Sequence, residues 1–399
     1  MGTPPAKTGA HGAGWAELAL GVGGFGIGTG EFVTMGLLPQ MAQQLHVSVP
    51  EAGHVISAYA LGVVIGAPLI AVLAARWPRR RLLLALMACF ALGNVASALA
   101  PGFLSLAAFR FVTALPHGAY FGVASLVVAS LVPPKERGRA VGRMMLGLTG
   151  ATLAGVPLAD GLGQWLGWRA AFALVAALGA LTCLLVALWV PFQPGNAKAS
   201  PVSELGALRR PQVLLTLAVG AVGFGGVFSV FSYITPTMTE VAGLPERWMP
   251  AVLAVFGAGM ILGNLGGSWL ADRALMPAIG GLLLWSVLVS LAFVAAAPHR
   301  WLALPGVLLI GTGMALVPAL QIRLMDVAED AQTLAAALNH SAFNVANALG
   351  AWLGGLAVSA GLGWAATGWV GALLAAGGLA IFAVSAGAAR RTALAGERA

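Results

Sequence analysis

From about residue 16 to residue 388, long apolar runs alternate with short polar breaks. A helix needs about 20 apolar residues to cross the hydrocarbon core of a bilayer, and the runs are that long. The breaks predict spans over 16–38, 51–75, 82–100, 102–131, 138–162 and 168–192. A second set follows over 212–240, 248–271, 278–297, 301–323, 333–358 and 364–388. Several runs exceed the bilayer thickness, which predicts tilt or extension into water. The longest polar interior stretch, PFQPGNAKASPVSELGALRRP at 191–211, divides twelve spans into six and six. The expected organisation is an N-terminal tail over 1–15, a six-helix bundle over 16–192, a linker over 193–211, a second bundle over 212–388 and a tail over 389–399.

Composition narrows the class. Hydrophobic residues make up 59% of the 399 positions and charged residues 9%, with a mean hydropathy of +0.90. Soluble domains carry roughly 25% charged residues, and a water-soluble fold of this composition would lack the polar surface to cover itself. The 55 glycines fit helix packing in lipid, where small residues let backbones approach. A disordered glycine-rich chain would instead be poor in Leu, Val and Phe. Cys89 and Cys183 lie far apart inside apolar runs, so no disulfide framework or metal site is implied and both are expected as packing residues. Residues 1–14 do not resemble a cleavable signal, and the first apolar run is expected to stay as a membrane anchor.

Charge sets the orientation. With both termini inside, 17 of the 21 Lys and Arg residues fall on inner segments. Only Arg169, Arg247 and Arg300 fall outside, and Arg110 lies within span 4. Inner segments of membrane proteins carry the basic excess, so cytoplasmic termini are expected. The same asymmetry explains a sequence pI of about 10.5 without a nucleic-acid partner.

The chain also resembles itself at an offset of 197 residues. Gly23, Gly26, Pro39 and Met41 recur as Gly220, Gly223, Pro236 and Met238. Gly62, Gly66, Leu73 and Arg76 recur as Gly259, Gly263, Leu270 and Arg273. Glycines coincide by chance in such a chain, but the shared Pro and Arg, in one register with the spans, are harder to dismiss. The predicted fold is an all-α polytopic membrane protein with twelve transmembrane helices in two six-helix bundles related by a parallel repeat. That plan places a substrate site between the halves.

Four segments then carry a family resemblance: RWPRRR after span 2, LAAFRFVTALPHGAYFG in span 4, GLTGATLAGVPLADGLG in span 5 and GGSWLADR after span 8. They resemble major facilitator transporters. GTGEFVTMGLLP, GLTGATLAGVPL, LGQWLGWRAAF and AALNHSAFNVANALGAWLGG resemble the drug:proton antiporter branch, most like sugar-efflux (arabinose-efflux-like) permeases, with chloramphenicol-resistance and purine-efflux exporters nearby. The resemblance covers about residues 16 to 388. It implies the major facilitator fold and alternating access in the inner membrane. It also implies export of a small organic molecule, either a sugar or an amphipathic drug, in exchange for protons, by a monomer without a cofactor. The loop motifs imply inner-gate roles for Arg76, Arg137, Arg139, Asp272 and Arg273, with headgroup anchoring as the alternative for the loop arginines. Gly155 and Pro157 stand at the family's span 5 hinge. The chain departs from the family pattern at Ala75 and Pro78, where Asp and Gly are usual, and keeps the acid–base pair only at Asp272-Arg273. Asp160 replaces a small residue and is expected at the outer interface.

Glu31 is an acid inside the first apolar run. It precedes Pro39 by eight residues, about 12 Å below the outer end at 1.5 Å per residue, and Arg110 follows Pro101 by nine, about 13 Å below the same face. A charge alone at that depth costs at least about 2.5–3.5 kcal/mol, so the two should pair or face a water-filled cavity. One reading is a permanent ion pair fixing spans 1 and 4. The other makes Glu31 a proton carrier tuned by Arg110, with the balance between burial and guanidinium changing as the cavity opens. The repeat partner of Glu31 is Phe228, and an acid kept in one half favours chemistry over packing symmetry.

Candidate cavity residues are His117, two turns from Arg110 on the same face, Tyr233, and His340 and Asn344, which with Asn347 form a polar stripe at i, i+4, i+7. Proton relay or hydrogen-bonded packing fits His117, and substrate lining or interhelical bonding fits the stripe. Tyr59 and Tyr120 also fall within spans. Asn94, Asn264 and Gln321 are expected as structural glue. No enzyme signature survives. There is no G-x-x-x-x-G-K-[ST] loop for an ATP-driven pump, the histidines lack metal-ligand spacing, and the GTG and GLG runs lack a strand–helix frame. The remaining alternatives are a proton-independent facilitator or importer of the same fold and a non-transporting receptor. The receptor would normally bring a soluble domain larger than the linker.

Overall fold

The computed structural model describes residues 10–194, 204–329 and 331–396. Residues 1–9 of the expected N-terminal tail, 195–203 of the linker and 397–399 of the C-terminal tail lie outside the described residues. Among the described residues, eleven helical segments are long and apolar enough to cross a membrane. One of them, Met249–Ala296, has 48 residues, about 72 Å of helix and more than twice the ~30 Å hydrocarbon core. Extended Ala274 (φ −159°, ψ 82°) divides it into span 8, 249–273, and span 9, 275–296. Pro277, with no N–H to continue the ladder, follows at once. Twelve passes result, as the apolar runs predict.

Span 1 runs Ala10–Leu45, longer at both ends than its apolar run. Its first turns stay helical because Glu17, only 6% exposed, accepts Arg143 Nε (2.6 Å) and Nη2 (2.8 Å) from span 5. Span 2 is His54–Leu73, span 3 Arg79–Ala98 and span 6 Trp168–Trp189. Span 4 breaks into Phe103–Ala114 and Pro116–Ser130. Span 5, Pro134–Leu166, contains a wide turn at Ala151–Gly155. In the second half, span 7 is Pro211–Phe231, span 10 Arg300–Val327, span 11 Gln332–Leu362 and span 12 Ala366–Ala389.

The 197-residue repeat reappears as backbone contact. A Cβ at Gly62 would lie 2.4 Å from Phe111 O, and one at Gly259 2.0 Å from Leu308 O. One at Gly66 would lie 2.2 Å from Leu115 O, and one at Gly263 2.4 Å from Thr312 O. Both members of each contact move by the same offset, so spans 2 and 4 cross as spans 8 and 10 do. The helix breaks at Leu115 and Thr312 also correspond.

The halves meet on the side that carries the arginine-rich loops. Asn264 Nδ2 of span 8 donates to Gly142 O of span 5 at 2.7 Å, and Gly138 and Gly142 pack on Asp272 and Ser268. Gly118 and Gly122 of span 4 lie against Ala337 of span 11. Toward the opposite end, among the described residues, no hydrogen bond or ion pair joins the halves beyond Thr152 and Met260 (3.7 Å). The arginine-rich side is shut.

Candidate functional site

A central cavity lies above that closure, between the halves. Its empty volume is about 740 Å³, counting space open to solvent. The first half contributes Glu31, Phe32, His117, Leu148 and Thr152. The second half contributes Phe224, Val227, Phe228 and Phe231 from span 7, Phe256 and Met260 from span 8, Met314 and Val317 from span 10, and His340, Phe343, Asn344 and Asn347 from span 11. The repeat partners Glu31 and Phe228 thus face one space from opposite halves.

Arg110 is fully buried beside this cavity. Its Nη2 donates to Gly30 O at 2.8 Å, the carbonyl preceding Glu31, so the two charges share a level. No ion pair joins them within 4.0 Å, which overturns the permanent pair. The guanidinium instead lies over the Tyr59 ring, 4.1 Å from its centroid, with Phe172 at 5.3 Å. Rings take a cation on their faces, which holds Arg110 without a carboxylate. Its Nε and Nη1 have no acceptor among the described residues, and Glu31 is half-buried at the cavity wall.

The polar chain continues downward. Tyr59 Oη lies 3.2 Å from His117 Nδ1. His117 of span 4 meets His340 of span 11 across the halves, with ring centroids 5.4 Å apart. Phe121 stacks on His340 at 4.3 Å and 15°. His340 is 3% exposed and its Nε2 has no partner among the described residues. His340, Asn344 and Asn347 all line the cavity, and Asn344 Nδ2 also donates to His340 O at 3.0 Å.

Tyr233 corrects the expectation. The helix breaks there (φ −117°, ψ 19°), and its hydroxyl donates to Ala351 O at 2.7 Å while its ring packs on Gly354 and Trp364. Phenylalanines take the cavity wall instead. Tyr59 and Tyr120 are buried in the first half, Tyr120 donating to Leu20 O at 2.8 Å. Two of the three glue residues join helices, Asn264 to Gly142 O and Gln321 to Ala336 O and Asn339, whereas Asn94 Nδ2 donates to Phe90 O within its own helix.

Below the cavity, the Asp272 carboxylate accepts the main-chain N–H of Gly138 (2.6 Å) and Arg139 (2.9 Å) and the Nε–H of Arg139 (3.1 Å). Those main-chain groups open the span 5 helix, where N–H groups lack intrahelical acceptors and the helix dipole favours an anion. Arg137 Nη1 lies 4.0 Å from Asp326, with both side chains over 40% exposed. Arg76 sits in the turn after span 2 and is also partnered. Arg273 departs from the gate: its guanidinium lies 3.6 Å over the Trp269 ring, on the outer flank of spans 8 and 9. Gly155 closes the wide turn of span 5, where a Cβ would lie 2.0 Å from Thr29 Oγ1, and Pro157 starts the helix beyond it. Asp160 Oδ2 accepts Gln164 Nε2 at 2.8 Å in the last two turns of that helix, which ends at Leu166.

Sequence reasoning missed two features. Phe224, Phe228 and Phe231 repeat at i, i+4, i+7, a spacing that marks one face but not which. Glu204, in the linker, is 2% exposed and accepts the Leu334 N–H at 2.9 Å, which docks the linker on span 11.

Comparison with known proteins agrees with this geometry. The Major Facilitator Superfamily profile matches residues 20–333. The chain is 43% identical over 370 residues to the inner membrane transport protein YdhP of Escherichia coli K12, covering 92% of this chain and 94% of that one. It is 36% identical to the putative transporter AraJ of the same organism (87% and 89% covered). It is 37% identical to the chloramphenicol resistance protein of Streptomyces lividans (81% and 84% covered). Among solved structures, the Escherichia coli fucose:proton symporter FucP superposes with a TM-score of 0.74 at 16% identity, covering 94% and 98%. The proton:xylose symporter XylE gives 0.73 at 16% identity, covering 94% and 95%. A profile match along most of the chain, close full-length relatives and a twelve-helix repeat around a central cavity make this chain a member of the major facilitator superfamily of membrane transporters.

Proposed function

We propose that the protein exports a small amphipathic molecule in exchange for protons, with both termini cytoplasmic and the halves rocking about the central cavity. Glu31 carries the reading. It is the one acid lining the cavity among the described residues, and it faces that cavity without an ion-pair partner. Arg110, next to it, holds two N–H groups with no acceptor. A carboxylate that turns onto those groups when the cavity reshapes would bind its proton less tightly, because a facing cation favours the charged form. Proton exchange at Glu31 then alternates with access, and substrate competes for the same charge environment.

The lining favours a drug-like amphipath over a free sugar. Six phenylalanines and two methionines face six polar side chains, concentrated on Glu31, the two histidines and the span 11 stripe. A sugar presents hydroxyls all round and would leave many unpaired against phenyl rings, each costing about 1–3 kcal/mol. A drug-like substrate is supported by the chloramphenicol resistance relative.

The test uses proteoliposomes with an imposed pH gradient and chloramphenicol or fucose as the probe. Uphill flux of the amphipath should collapse when the gradient is dissipated, and Glu31→Gln should keep binding but lose uphill flux. If Glu31→Gln concentrates the probe as well as the unaltered protein, coupling at this residue is refuted.

A further inference from the structure

A second space lies outside the bundle. A groove between spans 8, 9 and 10 has an empty volume of about 1040 Å³, counting open solvent. Gly263, Gly266 and Gly281 lie along it, Trp285 and Thr312 close its deep end, and Arg273 stands at the other. Gly263 is explained by packing, since its Cβ would strike Thr312 O. Gly266 and Gly281 are not, because an added Cβ at either meets nothing within 4 Å. Their missing side chains leave the groove deep. Leu270 and Leu262 in its lining are 37% and 55% exposed, so this flank of the bundle belongs to hydrocarbon.

Arg273 gives the groove a polar end. Its guanidinium lies over the Trp269 ring and, among the described residues, no carboxylate pairs with it. The adjacent Asp272 points the other way, onto Gly138 and Arg139. From Arg273 to Leu262 is eleven residues, about 16 Å of helix, half of the ~30 Å hydrocarbon core. A cation at the membrane surface and an apolar channel one leaflet deep match the two parts of one lipid.

We propose that this groove binds a single anionic phospholipid of the leaflet on the arginine-rich side, its phosphate on Arg273 and one acyl chain lying over Gly266 and Gly281. Arginine forks match phosphate oxygens, and an anionic headgroup supplies the counter-charge that the protein does not. The bound lipid sits one residue from the Asp272 contact that shuts the halves.

The full-length protein, stripped of lipid in detergent, is incubated with phosphatidylglycerol, phosphatidylcholine or inorganic phosphate, and adducts are counted by native mass spectrometry. One phosphatidylglycerol should be retained, preferred over phosphatidylcholine about fivefold, the effect of one basic side chain at an anionic surface. Inorganic phosphate should not displace it. Arg273→Gln should bring the two lipids to equal retention, and Arg273→Lys should keep most of the preference. Gly281→Leu should lose both lipids, and Gly266→Leu on the facing span gives the same readout if Gly281→Leu purifies poorly. Equal retention of both lipids by the unaltered protein, an unchanged preference in Arg273→Gln, or displacement by inorganic phosphate would overturn the proposal.

Discussion

Replacing Asp272 with Asn should loosen the closed side of the molecule by an amount that the contacts allow to be worked out. Asp272 Oδ1 accepts Gly138 N–H, and Oδ2 accepts both Arg139 N–H and Arg139 Nε–H. Asn keeps one acceptor and turns the other oxygen into a donor facing two donors. The main-chain bond to a charged acceptor is worth about 1.5–3 kcal/mol. The Arg139 side chain is 48% exposed, so its share is discounted to about 0–1 kcal/mol for solvent screening. Together the loss is about 1.5–4 kcal/mol, all of it between the halves, because Gly138 and Arg139 begin span 5 and Asp272 ends span 8. At about 1.4 kcal/mol per tenfold, the ratio of closed to open states on the arginine-rich side should fall by roughly 10- to 700-fold. Single-molecule energy transfer between dyes on the loops after spans 4 and 10, with Cys89 and Cys183 replaced, reads that ratio. An unchanged distance distribution in Asp272→Asn would refute the assignment of this carboxylate as the latch.

Other substitutions should act within a half. Gly66→Ala and Gly263→Ala force a Cβ onto backbone carbonyls and should each cost about 1–3 kcal/mol, seen as a lower unfolding temperature. Gly161→Ala, with nothing within 4 Å, should be neutral or slightly stabilising through helix propensity. Arg143→Gln leaves the carboxylate of Glu17 buried and should cost about 1–3 kcal/mol after allowing for the half-exposed arginine. The double variant with Glu17→Gln should recover much of it in the same melting assay. His340→Phe keeps the stack on Phe121 and removes the unpartnered Nε2, so the protein should fold normally while its affinity for a hydrogen-bonding amphipath falls about five- to tenfold in a binding titration.

The twelve passes were legible because an apolar run of bilayer length has few other uses. Depth was legible for the same reason: counting from Pro39 and Pro101 placed Glu31 and Arg110 at one level, and Arg110 does bond the carbonyl of Gly30. Pairing was not legible. Rise per residue fixes height along a helix, whereas the choice between carboxylate and ring depends on which helix presents Tyr59 at that height, a matter of tertiary contact. Tyr233 failed similarly, since its helix breaks at that residue and turns the ring onto span 11. The phenylalanines at 224, 228 and 231 carried a helical period, but in a membrane both a lipid face and a cavity face are apolar, so periodicity alone assigns neither. Arg273 read as a gate residue because it adjoins Asp272, yet successive helical residues point about 100° apart, and the two side chains serve opposite flanks of span 8.

A transporter that rocks needs halves that are stiff and a junction between them that is not. The repeat supplies the stiffness twice: Gly62 and Gly66 bring span 2 onto the backbone of span 4, and Gly259 and Gly263 do the same for spans 8 and 10. Backbone-to-backbone contacts of that kind have no rotamers through which to relax, so each half should move as a body. The junction is built differently. One carboxylate on two helix-end N–H groups, Asn264 on Gly142 O, and a histidine pair at the cavity floor are polar contacts that water or lipid headgroups can replace one at a time. Duplication explains the common scaffold, and the departures from it fall on the cavity, where an acid on span 1 faces a phenylalanine on span 7. The asymmetry gives one wall a carboxyl group and the other a phenyl surface, so under the proposed function a single amphipathic ligand would contact both halves at once.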